Sequence, residues 1–405
     1  IDADSEVPLP GVNIIIVGSD PMIGTVTDLD GNFIMEAVPV GRHDISFSFL
    51  GYKESTQPQV VVNSAKEVVL TVKLEESTVQ MKEAVVKAKS DKAKVNNELT
   101  LVSGRAFSIE ETTRYPGAAD DASKMAFAFA GVTTGENDLT NDIVIRGNSP
   151  RGIMWAIDGI EVPSPNHLSD AGVSSGSLSV LSVNLLDNSD FLTGAFPADY
   201  GNALSGVFDV KLRRGNNRKS EFSTQIGSIG LDLAAEGPFS KKHRSSYLIN
   251  YRYTTLSLLS KFGINVVKGE EPSMQNLSFK LNFPTQKAGR FSILGIGGLS
   301  ALKAEDEGTL SDGTEGITAK NNFDSDLGII GVNHNYIINK KMYMKTSLSL
   351  VADRLERDEN PINQDDEFFR DNTKTKSGYE MKASLLFNNK LSAKHLLRYG
   401  ATYTK

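Results

Sequence analysis

The stretch that decides the fold is NLSFKLNF, residues 276–283. Leu277, Phe279, Leu281 and Phe283 alternate with Ser278, Lys280 and Asn282. A period of two belongs to a β-strand whose two faces meet different surroundings. The pattern recurs on either side. In YEMKASLLFN (379–388), Tyr379, Met381, Ala383, Leu385 and Phe387 oppose Glu380, Lys382, Ser384 and Asn388, with Leu386 as the exception. In SYLINYRY (246–253), Tyr247, Ile249, Tyr251 and Tyr253 face away from Asn250 and Arg252. In MYMKTSLSL (342–350), Met342, Met344, Thr346, Leu348 and Leu350 oppose Tyr343, Lys345, Ser347 and Ser349.

The connections alternate too. GPFSKKHRS (237–245), PTQKAGR (284–290), NKK (339–341) and SAK (392–394) are short, whereas the segments around 256–274, 303–323 and 354–377 are long and polar. Short turns on one side and long loops on the other mark an outer-membrane barrel. A soluble sandwich rarely needs three structureless loops of that length. Tyr253, Phe283, Tyr379 and Tyr403 lie near strand ends, where an interfacial aromatic girdle would sit. Roughly nine strands are expected. Such a number does not close a bacterial barrel, and an open edge in lipid leaves backbone groups unpaired. The remainder is therefore expected from a longer chain or from another polypeptide. The ends agree: Ile1 is neither a methionine nor part of a signal peptide, and Lys405 falls inside the strand-like HLLRYGATYTK.

Bulk properties fit. The 405 residues carry a formal charge of −7 and a pI near 5.4, which argues against a basic nucleic-acid face. There is no cysteine, hence no disulfide frame, thiolate metal site or cysteine nucleophile. No apolar run approaches the roughly 20 residues of a membrane helix, but barrel strands stay modest in hydropathy, and the mean hydropathy here is −0.23.

Upstream, residues 1–76 read as a small β-sandwich: GVNIIIVG, GTVTD, GNFIMEAV, HDISFSFLGY, PQVVVN and EVVLTVKL are short runs between turn residues. Residues 77–98 form a lysine-rich linker holding a strand-like patch, Met81, Lys82, Glu83, Ala84, Val85, Val86, Lys87 and Ala88. Residues 99–215 mix α and β, with a helix expected over Asp120–Ala130. Within them NDIVIRGNSPRGIMWAIDGIEVPSPNH (141–167) places two apolar strands beside an Arg146-Gly147-Asn148 turn and an Asp158-Gly159 turn. It reads as a catalytic loop, a nucleotide cradle, or part of something larger.

Chemistry is scarce. NALSGV (202–207) lacks the Gly-x-Ser-x-Gly elbow, and no glycine loop precedes Lys-Ser/Thr. The five histidines are scattered, so no catalytic constellation is expected. His167 with Asp170 does not make a metal site. The acids of 354–377 read as a solvated loop more readily than as a calcium site. No metal, cofactor or enzyme activity is expected.

IVIRGNSPRGIMWAIDGIEVPSPNH, SDFLTGAFPADYGNALSGVFDVKLRRGN, GLDLAAEGPF, SYLINYRY and LSFKLNFPT, in this order, resemble the TonB-dependent outer-membrane receptors of Bacteroidetes. The first 76 residues are similar to the carboxypeptidase-regulatory-like domain of one branch, lacking its first strand. The resemblance implies a mainly β protein: an N-terminal β-sandwich, an α/β plug at 99–215, and at 216–405 the first nine or so strands of a barrel with about 22. It implies uptake of an unidentified nutrient across the bacterial outer membrane, with the N-terminal domain in the periplasm. Met81–Ala88 becomes a candidate TonB box, against a strand finishing the first domain or plain linker. TonB, energised by ExbB and ExbD, would grip it through its C-terminal domain by β-augmentation. Arg146, Gly147, Asn148, Asp158 and Gly159 become plug scaffold in polar networks. Pro165, Asn166, His167 and Asp170 lie on a loop that reads as substrate-facing or as a flexible apical loop. Outer-membrane lipids surround the barrel, and a surface lipoprotein is a possible partner. The alternative is a non-transporting subunit of an outer-membrane assembly or secretion complex.

Overall fold

The computed structural model describes residues 1–3, 5–64, 66–77, 95, 100, 102–107, 112, 115, 121–134, 141–169, 176–227, 230–240, 244–254, 269–285, 287–363, 367–369, 372–392 and 395–405. The candidate TonB box and Asp170 lie outside these residues.

The alternating segments form one nine-stranded antiparallel sheet, as the pattern required. Its strands follow chain order: β12 (Glu221–Ile226), β13 (Gly230–Ser240), β14 (Ser245–Thr254), β15 (Glu270–Pro284), β16 (Arg290–Thr309), β17 (Glu315–Asn339), β18 (Met342–Pro361), β19 (Asn372–Ser392) and β20 (His395–Thr404). Inward positions are buried and often polar: Asn276, Ser278, Lys280 and Asn282 on β15, Asn333 on β17, Ser347 on β18, Asn388 on β19. Outward positions are apolar and exposed, among them Leu277, Leu299, Ile330, Leu348, Met381 and Tyr403. On β16 the outward row Phe291, Ile293, Gly295, Gly297, Leu299 covers about nine residues, the length a tilted strand needs to cross a bilayer. Rings gather at its short-turn end: Phe239 stacks on Phe283, Phe291 on His334 and Phe387 on Tyr399. That arrangement is an aromatic girdle.

Beyond the apolar band the strands run on. Outward positions there are Asp326 and Asp324 on β17, Arg354 and Glu356 on β18. Much of the polar segments 303–323 and 354–377 is therefore paired strand, while most of 256–274 lies outside the described residues; β16 and β17 meet in a turn over Leu310–Thr314, not in a loop over 303–323. Composition alone misled because a strand with two polar faces has no alternation to detect.

The middle of the chain packs on the inward face. Its five-stranded sheet has the order β5 (Gly104–Phe107), β10 (Ser189–Leu192), β11 (Gly206–Val210), β8 (Ile153–Ile157), β9 (Ile160–Val162), with β11 and β8 parallel. A smaller pair joins β6 (Val132–Thr134) to β7 (Ile143–Ile145). Strands β10 (SDFL) and β11 (GVFDV) are buried on both faces, so neither shows the alternation of a half-exposed strand. Trp155 stacks on Phe208 with centroids 4.0 Å apart, and Phe191 leans on Phe208. This core is continuous with the wall: Leu248, Leu294, Ile296, Ile329 and Val351 belong to it. The expected helix is a 3-10 helix over Ala122–Ala128 only. Its N-cap, Asp121, also accepts from Asn141 and from the Ser179 amide, so one carboxylate ties three segments of the plug together.

In the N-terminal domain the named strands make one sheet, β2 (Gly24–Val26), β1 (Asn13–Ile16), β3 (Gly41–Ser48), β4 (Ser55–Val62). GNFIMEAV and EVVLTVKL do not become regular strands. They cover the sheet as irregular chain, putting Phe33, Met35, Leu70, Val72 and Leu74 against Ile14 and Phe47. This domain meets the barrel at the short-turn side: Lys66 pairs with Glu236 at 2.8 Å, Asp2 with Lys390 at 3.3 Å, and Arg244 approaches Asp28 at 3.6 Å.

Candidate functional site

The site is the contact between plug and barrel wall. A short tight turn between β8 and β9 projects Asp158 and Gly159 toward the wall. Asp158 has φ 52° and Gly159 φ 86°, a left-handed pair that aspartate and glycine tolerate. The Asp158 carboxylate meets the Lys280 ammonium at 2.7 Å and accepts from the Leu212 amide at 3.1 Å. Its backbone carbonyl accepts from Asn333 Nδ2 at 3.3 Å and Lys345 Nζ at 3.2 Å. A Cβ on residue 159 would stand 2.7 Å from that same Nζ, so glycine leaves room for the lysine. Lys280 also donates to the Leu212 carbonyl at 2.5 Å. Burial alone would raise the Asp158 pKa, but Lys280 and Lys211 outweigh it and hold the carboxyl below its ordinary value.

Two further pairs join plug to wall. Glu161 meets Lys382 at 2.5 Å, and Asp199 meets Arg398 at 2.6 Å. A third junction lies where the plug runs into the barrel. Arg213 makes a bidentate pair with Glu236 at 2.6 and 2.8 Å, and Glu236 also accepts from the Asn216 amide at 2.9 Å. Lys66 reaches the same carboxylate, so Glu236 holds plug and N-terminal domain at once. Bidentate arginine pairs are the strong, oriented kind.

On the other flank the plug presents its 165–180 segment. The Pro165 carbonyl accepts from the Val180 amide at 2.7 Å, and Asn166 is bridged to Ser179. His167 lies 3.3 Å from Ser300 Oγ and 3.4 Å from Asn276 Oδ1, both on the wall. Arg252 of β14 donates to the Ser179 carbonyl, and Asn276 to the Val180 carbonyl at 2.7 Å. Pro165, Asn166 and His167 are thus buried rather than turned to an open vestibule, because His167, Leu168 and Val180 bond to Asn276 of β15 and Ser300 of β16. Burial, then Arg252, push the His167 pKa from 6.5 down to about 4.

Arg146, Gly147 and Asn148 sit elsewhere. They form an exposed turn after β7, where Asn148 donates to the Ile145 carbonyl at 3.0 Å and Arg146 donates to Thr193 Oγ1 at 3.5 Å. Arg146 makes no contact with the wall among the described residues. The two turns singled out together in the sequence therefore serve different places. Lys280, Lys345, Lys382, Arg398, Glu161, Asp199 and the Arg213–Glu236 pair were not singled out. The signal for the wall cations was present: a lysine at an inward position of an alternating strand must find a partner or water.

Close approach is part of the design. A Cβ on Gly298 would lie 2.7 Å from Val180 Cγ1 and 3.3 Å from His167 Cε1. Gly298→Leu is expected to lift the 165–180 segment at a cost of about 1–3 kcal/mol, the usual range for overpacking. Limited proteolysis should then cut the plug earlier than in wild type, and an unchanged pattern would contradict the close contact.

A plug domain seated on the inner face of a partial β-barrel is the class of structure that these contacts define. The family model for the TonB-dependent Receptor Plug Domain matches residues 106–207, and that for the CarboxypepD_reg-like domain matches residues 1–86. No curated protein matches the chain. Among solved structures it is similar to the pyoverdine outer membrane receptor FpvA from Pseudomonas aeruginosa PAO1 bound to pyoverdine, at 12% identity and TM-score 0.54, covering 74% of this chain and 45% of that one. It is also similar to the ferric-catecholate import receptor Fiu from K12 E. coli, at 14% identity and TM-score 0.50, covering 75% of this chain and 47% of that one. At these identities the likeness is one of fold. The chain spans somewhat under half the length of these structures.

Proposed function

We propose that this chain is part of a TonB-dependent outer-membrane receptor that imports a nutrient, with the N-terminal domain on the periplasmic side. The pairing with a CarboxypepD_reg-like domain fits the Bacteroidetes branch of such receptors. The observation that carries the reading is the plug held on the inner wall by side-chain pairs, Asp158–Lys280, Glu161–Lys382 and Asp199–Arg398. The plug also packs its core on Leu248, Leu294, Ile296, Ile329 and Val351 of the wall, but the charged pairs can exchange for lumen water, so the plug can be moved without unfolding the barrel. Ligand binding outside would free Met81–Ala88, and TonB would pair with it as an added strand and pull.

The test is capture of the complete protein, purified in detergent, by the isolated C-terminal domain of TonB. Deleting residues 81–88 should abolish capture while thermal unfolding of the barrel stays unchanged. Capture that survives the deletion removes the TonB-box assignment. A protein that TonB never captures, but that purifies with a fixed set of assembly or secretion partners, is a scaffold subunit instead.

A further inference from the structure

The lumen beside the plug contains a cavity of about 1410 Å³. Its charges are sorted by element. The barrel wall contributes Lys280, Arg290, Lys345, Lys382 and Arg398 and, among the described residues, no acid. The plug contributes Asp158, Glu161, Asp187, Asp199 and Asp209, with Lys211 and Arg214 as its cations, and the N-terminal domain closes one end with Glu6, Glu54 and Glu75 beside Lys53 and Lys73.

The strand register turns those wall cations into a descending series. Lys280 and Lys382 stand on one pairing row, which runs Lys280, Leu294, Gly331, Ser349, Lys382 across five strands. Four residues nearer the short turns, Arg290, Asn335 and Lys345 form a second row. That step is about 14 Å along the strands, and Arg290 and Lys345 stand about 10 Å apart, two strands away from each other. Lys345 pairs in register with Leu386; two residues on, Asn388 faces Arg398, and two further stands Lys390 at the mouth.

The acids that meet these cations are mostly not the wall's own. Asp158, Glu161 and Asp199 belong to the plug, and Asp2 and Glu76, which hold Lys390, belong to the N-terminal domain. The wall supplies one partner, Glu380, 3.3 Å from Lys382. Arg290 and Lys345 have no ion-pair partner within 4 Å among the described residues. A plug that moves aside takes its carboxylates with it and leaves a basic track.

We propose that β15–β20 form an anion-selective path, and that the plug carboxylates occupy, in the resting state, the places taken by the anionic groups of the cargo. The cargo is accordingly a molecule bearing several carboxylate, phosphate or sulfate groups. Rows of lysine and arginine are how pores select anions, and a low-dielectric wall focuses their field. The inference rests on the import reading above, in which the plug is displaced.

The experiment uses the complete protein in a planar bilayer under a potassium chloride gradient, with urea raised until the plug loosens and current appears. The reversal potential then reads selectivity. Wild type is expected to prefer chloride to potassium. The Lys280→Gln/Lys345→Gln/Lys382→Gln variant should fall close to no preference, and the corresponding arginine variant should keep it. Arg290→Gln alone, which disturbs no ion pair with the plug, should move the potential in the same direction by a smaller amount. Cation preference in wild type, or no shift in either glutamine variant, overturns the anion path while leaving import standing. No current at any urea concentration below barrel unfolding shows that the plug does not leave, and that sinks the import reading and this inference together.

Discussion

Asp158→Asn should loosen the plug from the barrel by about 3–5 kcal/mol, the cost of breaking a buried pair and leaving one charge uncompensated. Asparagine keeps the shape and tolerates the left-handed backbone at this position, so the effect isolates the charge. The ammonium of Lys280, 10% exposed, would keep only the Leu212 carbonyl as a partner. Lys345 would lose its nearest carboxylate as well, retaining the bond to the residue 158 carbonyl. The double variant Asp158→Asn/Lys280→Met removes the stranded charge and should recover most of the loss, because buried pairs often exchange for neutral groups with little change. The measurement is urea-induced release of the plug, followed by the fluorescence of Trp155, a fully buried plug residue and the one tryptophan among these 405 residues. If single and double variants lose the same amount, the pair is not a coupled unit and the latch at this corner is only packing.

How much of this was legible in the sequence depends on where two-fold alternation survives. NLSFKLNF and MYMKTSLSL have an apolar lipid face and a polar lumen face, so period and face follow from the residues alone. The same strands beyond the apolar band, such as Asp353–Pro361, are polar on both faces, and nothing local distinguishes them from loop. The plug shows a further kind of difficulty. IMWAI and GVFDV are buried on both faces, which conceals the parallel pairing of β8 with β11 across 53 residues, from Ile153 to Gly206. The site was half visible. Asp158 stood out by its turn chemistry, and its partner Lys280 lay in the very stretch that revealed the barrel. Joining them needs the register of β15 against a plug turn 122 residues earlier, which no periodicity encodes. His167 misled for a related reason: a polar loop rich in glycine and serine reads as exposed, but the wall opposite offers Asn276, Ser300 and Arg252 to satisfy it.

Acidification should release that flank of the plug, and His167 sets the window. Docked, the ring is 1% exposed and its pKa is pushed down to about 4, first by burial and then by Arg252. Undocked, it titrates near its ordinary value of 6.5. Above pH 6.5 both states are neutral and docking is independent of pH. As pH falls below 6.5 the undocked histidine takes a proton that the docked one refuses, so docking weakens by up to 1.36 kcal/mol per unit. The loss stops near pH 4, where the docked ring is protonated as well, and totals about 3 kcal/mol. Between pH 7 and 5 hydrogen exchange at the Leu168 amide, which donates to Ser300 Oγ on the wall, should therefore speed up about 20-fold beyond its intrinsic pH dependence. His167→Gln keeps a group able to reach Asn276 and Ser300 but cannot titrate, and its exchange should follow the intrinsic pH dependence alone. An equal pH response in both proteins would place the sensitivity in other groups of the plug or in the wall, and not in this ring.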